Sequence, residues 1–462
     1  MRHQTGGRDS LSGRVGVKQW IIDGGRPLHG RITVSGAKNV AFKLMIAALL
    51  GQGKTILNNV PAVGDVDLAG EMIRLLGGQV RRLDRHTVEV DPDGITGCML
   101  PPALAKKSRA SFMFVGPLLA RCDEVVLPLP GGDQIGRRPL DRHIAGLVAL
   151  GAEVHEREGV IHARRERLAG ARYRFPKNTH TGTETLILAA VMAHGQTVLE
   201  NAAQEPEVDD LIALLNAMGA RIRRAAPRTI IIDGVDRLHG AVHRVMSDRN
   251  EVVSFACMAL ATRGDLWIDR VRPEHIQAFL EQLERLGAGF EVSAASLHVW
   301  YRGPLKPIRV RTAPHPGFMS DWQPLLTTLL TQAEGISVIH ETVFERRFGY
   351  VEELRRMGAH IELFNPPVDR PEEVYNFNWE DDRPEYRHAA RIHGPTPLKG
   401  IRAHITDVRA GATLVQAALT AEGRTILSGI EHIERGYENL DGRLRELGAD
   451  IEERRGYFAR EQ

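Results

Sequence analysis

The chain has 462 residues, 43% hydrophobic and 26% charged, which is long enough for two or more domains of an ordinary soluble globular protein. Lys plus Arg total 60 against 58 for Asp plus Glu, so no net field draws it to nucleic acid or an anionic membrane, and no apolar run reaches membrane-spanning length. The three cysteines, Cys98, Cys122 and Cys257, have neither the pattern of a disulfide framework nor metal-ligand spacing. They predict a reducing, cytoplasmic setting, with Cys122 a buried structural thiol.

Residues 1–16 read as a polar, disordered tail without an apolar signal core. A strand is expected near Trp20 to Ile22, paired with the second half of the chain. Ser35-Gly36-Ala37-Lys38-Asn39 then leads into the apolar helix Val40 to Leu50. Lys38 and Asn39 fall at its N-terminus, where backbone N–H groups favour an anion; a plain cap with an exposed lysine fits as well. Gly53-Lys54-Thr55 imitates the end of a phosphate-binding loop. The first glycine of such a loop would fall at position 48, which is Ala, and a strand rather than a helix follows.

From here one phrase recurs: an apolar residue, a glycine, a small residue, a spacer and an apolar residue. It stands at Leu76-Gly77-Gly78, Leu150-Gly151-Ala152, Met218-Gly219-Ala220, Leu286-Gly287-Ala288, Met357-Gly358-Ala359 and Leu447-Gly448-Ala449, at intervals of 74, 68, 68, 71 and 90 residues. Each glycine is placed to end a helix in a left-handed cap before a strand. A second helix-to-strand phrase alternates with it, as at Met192-Ala193-His194-Gly195-Gln196-Thr197-Val198, and is degenerate near Cys122. Six units of this size cannot bury their apolar faces alone, so they must share cores, most economically as two groups of three. The fold class is α/β, with three repeats in about 38–246 and three in 247–462.

Four segments depart from the repeat. Besides Lys38-Asn39, Leu129-Pro130-Gly131-Gly132-Asp133-Gln134-Ile135-Gly136-Arg137-Arg138-Pro139 specifies an irregular loop. It can close over a ligand or be a surface turn with solvated charges. In Thr312-Ala313-Pro314-His315-Pro316-Gly317-Phe318-Met319-Ser320-Asp321, the last residue meets the start of an apolar helix, where Asp is common without any catalytic role. Arg409 and Arg435 are, taken singly, surface residues. The long interval contains an insertion, Phe364 to His393, whose prolines, asparagines and Glu380-Asp381-Asp382 read as a solvated decoration.

Together the phrases Gly36-Ala37-Lys38-Asn39, Arg109-Ala110-Ser111-Phe112, Gly116-Pro117-Leu118, Leu129-Pro130-Gly131-Gly132, Ala313-Pro314-His315-Pro316, Glu341-Thr342-Val343-Phe344-Glu345 and Arg435-Gly436-Tyr437-Glu438 resemble the enolpyruvyl transferases, in order, from about Trp20 to Tyr457. The resemblance implies two inside-out α/β barrels of three βαβαββ units joined by a hinge. Residues 38–246 would form one domain, and 17–37 plus 247–462 the other. It implies transfer of the enolpyruvyl group of phosphoenolpyruvate to the 3-hydroxyl of UDP-N-acetylglucosamine, toward peptidoglycan, without metal or cofactor. Small-molecule substrates are the only partners it implies, with no nucleic acid, membrane or obligate protein partner.

By resemblance, Lys38, Arg138, Arg409 and Arg435 bind phosphoenolpyruvate, and Asp321 is the base for the attacking hydroxyl. Asp133 stands where the family usually carries a cysteine acid, and some members resemble this chain in having Asp there. An Asp cannot be alkylated as a thiol, so the chain is expected to be insensitive to fosfomycin. Asn39, Arg109, Arg138-Pro139-Leu140-Asp141-Arg142, Asp321 and Val343 would contact the sugar nucleotide. The family's Lys-Val-Ser-Val-Gly is here Asn178-Thr179-His180-Thr181-Gly182, and His180 reads equally as a ligand contact or a structural histidine. That change keeps open another acceptor, such as UMP, and a non-catalytic relative that only binds UDP-sugars.

Overall fold

The computed structural model describes residues 17–456; the tail expected over 1–16 lies outside them. All six repeat glycines have left-handed backbones, with φ between 73° at Gly287 and 104° at Gly219. Glycine has no Cβ to clash in this conformation, so the helix can stop and the strand begin within a few residues. The helix Gln277–Leu286 ends this way at Gly287, and the strand Gly289–Val292 follows.

The strands assemble in one pattern. Thr55–Asn58 lies between a parallel neighbour, Val242–Arg244, and an antiparallel one, Thr87–Asp91, which pairs in turn with Gln79–Asp84. The order repeats around Gln196–Glu200, Asp265–Asp269, Gly335–His340 and Arg424–Ser428. The degenerate copy, Glu124–Pro128, keeps only a single parallel bridge, Met99 to Val126, in place of the fourth strand. Val17–Asp23 pairs antiparallel with both Arg424–Ser428 and Asp450–Gly456, so the first strand completes the last unit.

The helices Arg249–Ala261 and Gln323–Leu330 are buried at every residue, and Val408–Thr420 at nearly every one. Lys38–Ala47 and His180–Ala190 are buried beyond their first residues, and Val115–Leu119 throughout. A helix apolar on all sides belongs in an interior, so helices fill the centres and sheets face outward. Buried apolar side chains form two clusters. One is drawn from residues between Ala37 and Met246, the other from Trp20 to Val34 and Val252 to Ile451. The chain crosses between them twice, side by side: Ala37 N donates to Met246 O at 2.8 Å and Asp248 N to Ser35 O at 2.9 Å. Among the described residues no helix is long and apolar enough to cross a membrane.

The cysteine reading is corrected. Cys98 and Cys122 form a disulfide, 24 residues apart, and Cys257 is the buried free thiol. The bridge from Met99 to Val126 brings the two together, a tertiary pairing invisible in the spacing. The argument from the cysteines to a reducing compartment falls with it.

Candidate active site

A cleft of about 330 Å³ runs between the two cores. Its walls are largely the starts of inner helices. Lys38 and Asn39 open Lys38–Ala47, Arg109 opens the turn Arg109–Phe114, and His180 opens His180–Ala190. From the other side come Asp321, in the turn Ser320–Trp322 before Gln323–Leu330, and Arg409 near the start of Val408–Thr420. Unpaired N–H groups and aligned peptide dipoles make such a convergence favourable for anions before any side-chain charge is added.

Asp65 ties the two sides together. Lys38 Nζ donates to its Oδ2 at 2.6 Å and Arg435 Nε to its Oδ1 at 2.9 Å. Burial alone would raise its pKa, but these two cations hold the carboxyl below the usual range.

The glycine-rich loop is drawn across the cleft. A Cβ on Gly131 would sit 1.8 Å from Lys106 O, so only glycine permits the approach. Beyond it, Arg137 N donates to Glu345 Oε1, the Arg137 guanidinium pairs with Asp381, and Arg346 N donates to Ile135 O at 3.1 Å. Asp133 therefore faces the cleft. Arg138 has a strained left-handed backbone, φ 49°, with its guanidinium 5.7 Å from the centre of the Phe344 ring. Burial works against its charge, and Asp133 and Asp321 support it.

Asp321 accepts from Arg347 Nη2 at 3.0 Å, and Arg409 Nε lies 3.5 Å from its other oxygen. Desolvation would raise its pKa; Arg409, Arg347 and Arg138 overcome that and keep it ionised well below the ordinary Asp range.

Lys38, Asn39, Arg109, Asp133, Arg138, Pro139, Arg142, Asn178, Thr179, His180, Thr181, Asp321, Val343, Arg409 and Arg435 all line this one cleft. Leu140, Asp141 and Gly182 are not on its walls. Leu140 packs into the first core, Asp141 accepts from Asn378 at 2.9 Å, and Gly182 sits under the Thr179 cap, where a Cβ would meet Thr179 at 2.4 Å. His180 is both exposed to the cleft and structurally held: its Nε2 lies 3.2 Å from Glu184 and 3.2 Å from Lys43 Nζ. Burial would strip its proton, but Glu184 retains it.

The insertion is not a solvated decoration. Asn376, Phe377, Asn378 and Asp381 line the cleft, because Arg142 and Lys177 bind its backbone from the opposite side. Asp65, Arg347 and Lys43 also escaped the sequence reading. A charged residue within an otherwise apolar helix, as at Lys43, was the available signal.

A family model described as EPSP synthase (3-phosphoshikimate 1-carboxyvinyltransferase) matches residues 22–457. The UDP-N-acetylglucosamine 1-carboxyvinyltransferase 3 of Caldanaerobacter subterraneus subsp. tengcongensis is 40% identical over 435 residues, 94% of this chain and 99% of that protein. The chain belongs to the enolpyruvyl transferase family. The UDP-N-acetylglucosamine 1-carboxyvinyltransferase of Acidobacterium capsulatum is 41% identical over 439 residues, covering 94% of this chain and 96% of its own. The enolpyruvyl transferase NikO from Streptomyces tendae superposes with a TM-score of 0.82 at 26% identity, over 95% of this chain and 99% of that one. EPSP synthase from Acinetobacter baumannii, at TM-score 0.67 and 18% identity, shares the fold over 95% of this chain and all of its own.

Proposed function

We propose that the protein transfers the enolpyruvyl group of phosphoenolpyruvate to the 3-hydroxyl of UDP-N-acetylglucosamine and releases phosphate, a step toward peptidoglycan. The observation that carries the reading is that Asp133 and Asp321 line one cleft together with Lys38, Arg138, Arg409 and Arg435. Relatives about 40% identical over 94% of the chain bear the name of that activity. In this reading residues 38–246 and 17–37 plus 247–462 are two domains that close on the substrates.

The donor carries a phosphate and a carboxylate, and Lys38, Arg138, Arg409 and Arg435 are the cations offered to them. Asp321 accepts the proton of the attacking hydroxyl as its oxygen bonds to C2 of phosphoenolpyruvate. A carboxylate held down by three arginines is a weak base. Substrate anions that take up those arginines loosen the hold and strengthen it. Asp133, protonated, gives its proton to C3, completing a tetrahedral adduct. In the elimination C3 returns a proton to Asp133, the C2–O bond to phosphate breaks, and phosphate leaves with the proton held by Asp321.

The altered segment Asn178-Thr179-His180-Thr181-Gly182 favours a second acceptor reading, a smaller nucleotide such as UMP. A phosphate-release assay with phosphoenolpyruvate and each acceptor, with Asp133→Asn as control, tests the proposal. Release with UDP-N-acetylglucosamine, lost in the variant, is expected. Release with UMP alone overturns the acceptor, and nucleotide binding without release overturns the enzyme.

A further inference from the structure

The inserted segment meets the cleft through Asn376, Phe377, Asn378 and Asp381. It is anchored on its own side. The Tyr375 ring stacks on Trp379 with centroids 5.2 Å apart and an angle of 11°, and its hydroxyl lies 3.1 Å from His340 Nε2. Asn376 N donates to Thr342 O at 2.7 Å, beside Val343. His388 packs under Phe377 at 5.3 Å and is itself held by Asp382 at 3.0 Å.

From this base the strap reaches across. Arg142 Nη2 donates to Asn376 O at 3.0 Å and to Asn378 Oδ1 at 2.7 Å, and its Nη1 to Asn178 O at 3.2 Å. Asn376 Nδ2 donates to the same Asn178 carbonyl at 3.0 Å. Lys177 Nζ donates to Tyr375 O at 2.8 Å and Phe377 O at 2.7 Å. Arg142 and Asn178 belong to the acceptor reading, and Lys177 adjoins them; beyond these contacts, Asp381 pairs with Arg137 of the loop at 130–138. None is among the cations assigned to phosphoenolpyruvate.

We propose that the strap 375–378 completes the acceptor end of the cleft and sets the affinity for the acceptor nucleotide without setting that for phosphoenolpyruvate. This rests on the acceptor reading above. Three oxygen acceptors fix the plane of the Arg142 guanidinium, two of them supplied by the strap. A planar base suits a wall made of that fixed plane and the Phe377 ring. Residues 375–378 thus bridge the cores at the acceptor, while Asp381 bridges them at the loop 130–138, and closing the cores builds the acceptor wall.

The test uses the full chain, phosphate release and separate titration of each substrate. Asn376→Ala/Asn378→Ala removes the side-chain contacts and leaves the anchoring aromatics. In a second variant Asn-Gly replaces residues 365–388; Phe364 and Ala389 pair directly across the two strands, so a two-residue turn can close them. In both, the acceptor KM is expected to rise by about tenfold or more; in Asn376→Ala/Asn378→Ala, which keeps the pair of Asp381 with Arg137, the phosphoenolpyruvate KM stays within about twofold. An unchanged acceptor KM in either variant, or two KM values rising together in Asn376→Ala/Asn378→Ala, overturns the proposal. A parent that uses UMP instead of UDP-N-acetylglucosamine overturns the acceptor reading alone, and the same comparison with UMP then decides the strap. A parent inactive with both overturns both.

Discussion

Glu207 and Arg249 form a doubled ion pair across the seam between the two cores: Arg249 Nε and Nη2 donate to separate oxygens of Glu207 at 2.8 and 2.7 Å. Both side chains are buried. Burial alone would raise the Glu207 carboxyl, yet Arg249 pulls it from 4.5 to about 2. A carboxyl lowered on folding stabilises the protein above its unfolded pKa and loses that contribution as pH falls through the folded one. The window is therefore pH 4.5 down to about 2, and the amount is on the order of 3 kcal/mol. Urea unfolding across this range should show the loss in the parent and much less of it in Glu207→Gln. At pH 7 that variant should be about 3–5 kcal/mol less stable, because Arg249 is left buried and unpaired. Equal pH slopes in the two proteins would contradict the assignment.

The glycine caps make a second stability prediction. At Gly448, φ is 99° and the nearest atom to an added Cβ is Pro27 O at 3.8 Å, so space is not the constraint. Gly448→Ala should lose only the left-handed penalty, about 1–2 kcal/mol, with unchanged kinetics. At Gly36 an added Cβ would lie 1.7 Å from Asn59 O, beside the crossing between the cores. Gly36→Ala should be far more damaging, visible as a larger fall in thermal midpoint and in activity.

The six repeat glycines also show why the fold was legible. A residue that must be left-handed leaves its mark at a fixed place in every unit, whatever surrounds it. The cleft residues were legible only by resemblance, because a lone Lys38 or Arg409 at a helix start looks like any cap. Asp65 was not singled out since its role depends on Arg435, which lies on the other core. The strap misled for the same reason: prolines and acids at 366–382 describe an irregular backbone truthfully but say nothing of Arg142 and Lys177 waiting opposite. The disulfide of Cys98 and Cys122 likewise depends on a bridge between neighbouring segments.

Asp65 should control phosphoenolpyruvate affinity. It holds Lys38 and Arg435 at 2.6 and 2.9 Å, and without its charge these two cations repel each other across the cleft. Asp65→Asn is expected to raise the phosphoenolpyruvate KM by about tenfold, or ~1.4 kcal/mol, with a smaller change for the acceptor. Steady-state titration of each substrate checks it. An unchanged KM would reduce Asp65 to a space-filling role.

Asp133 makes a pharmacological prediction. Its carboxylate offers no thiol to alkylate, so phosphate release should continue in fosfomycin. Asp133→Cys should retain turnover and become inactivated with time. Rapid inactivation of the parent would mean that another group reacts. Asp133→Asn, which cannot deliver a proton, should lose about 10²–10⁴-fold in kcat.

Asp321 predicts the shape of the pH profile. Its carboxylate is ionised well below its ordinary value of 3.8 because Arg409, Arg347 and Arg138 outweigh burial. In the free enzyme Asp321 is therefore already deprotonated across the neutral range, and if it is the base, the acid limb of kcat/KM should lie below 3.8. In the ternary complex, substrate anions share those arginines, the hold weakens, and the acid limb of kcat should move to higher pH than that of kcat/KM. Asp321→Asn should remove the limb and reduce kcat by about 10²–10⁴-fold. Arg347→Gln, which deletes one hold without touching the carboxylate, should shift the kcat/KM limb upward. If the two limbs coincide in the parent and do not move in Arg347→Gln, Asp321 is not the group being titrated, and the proton of the hydroxyl leaves by another route.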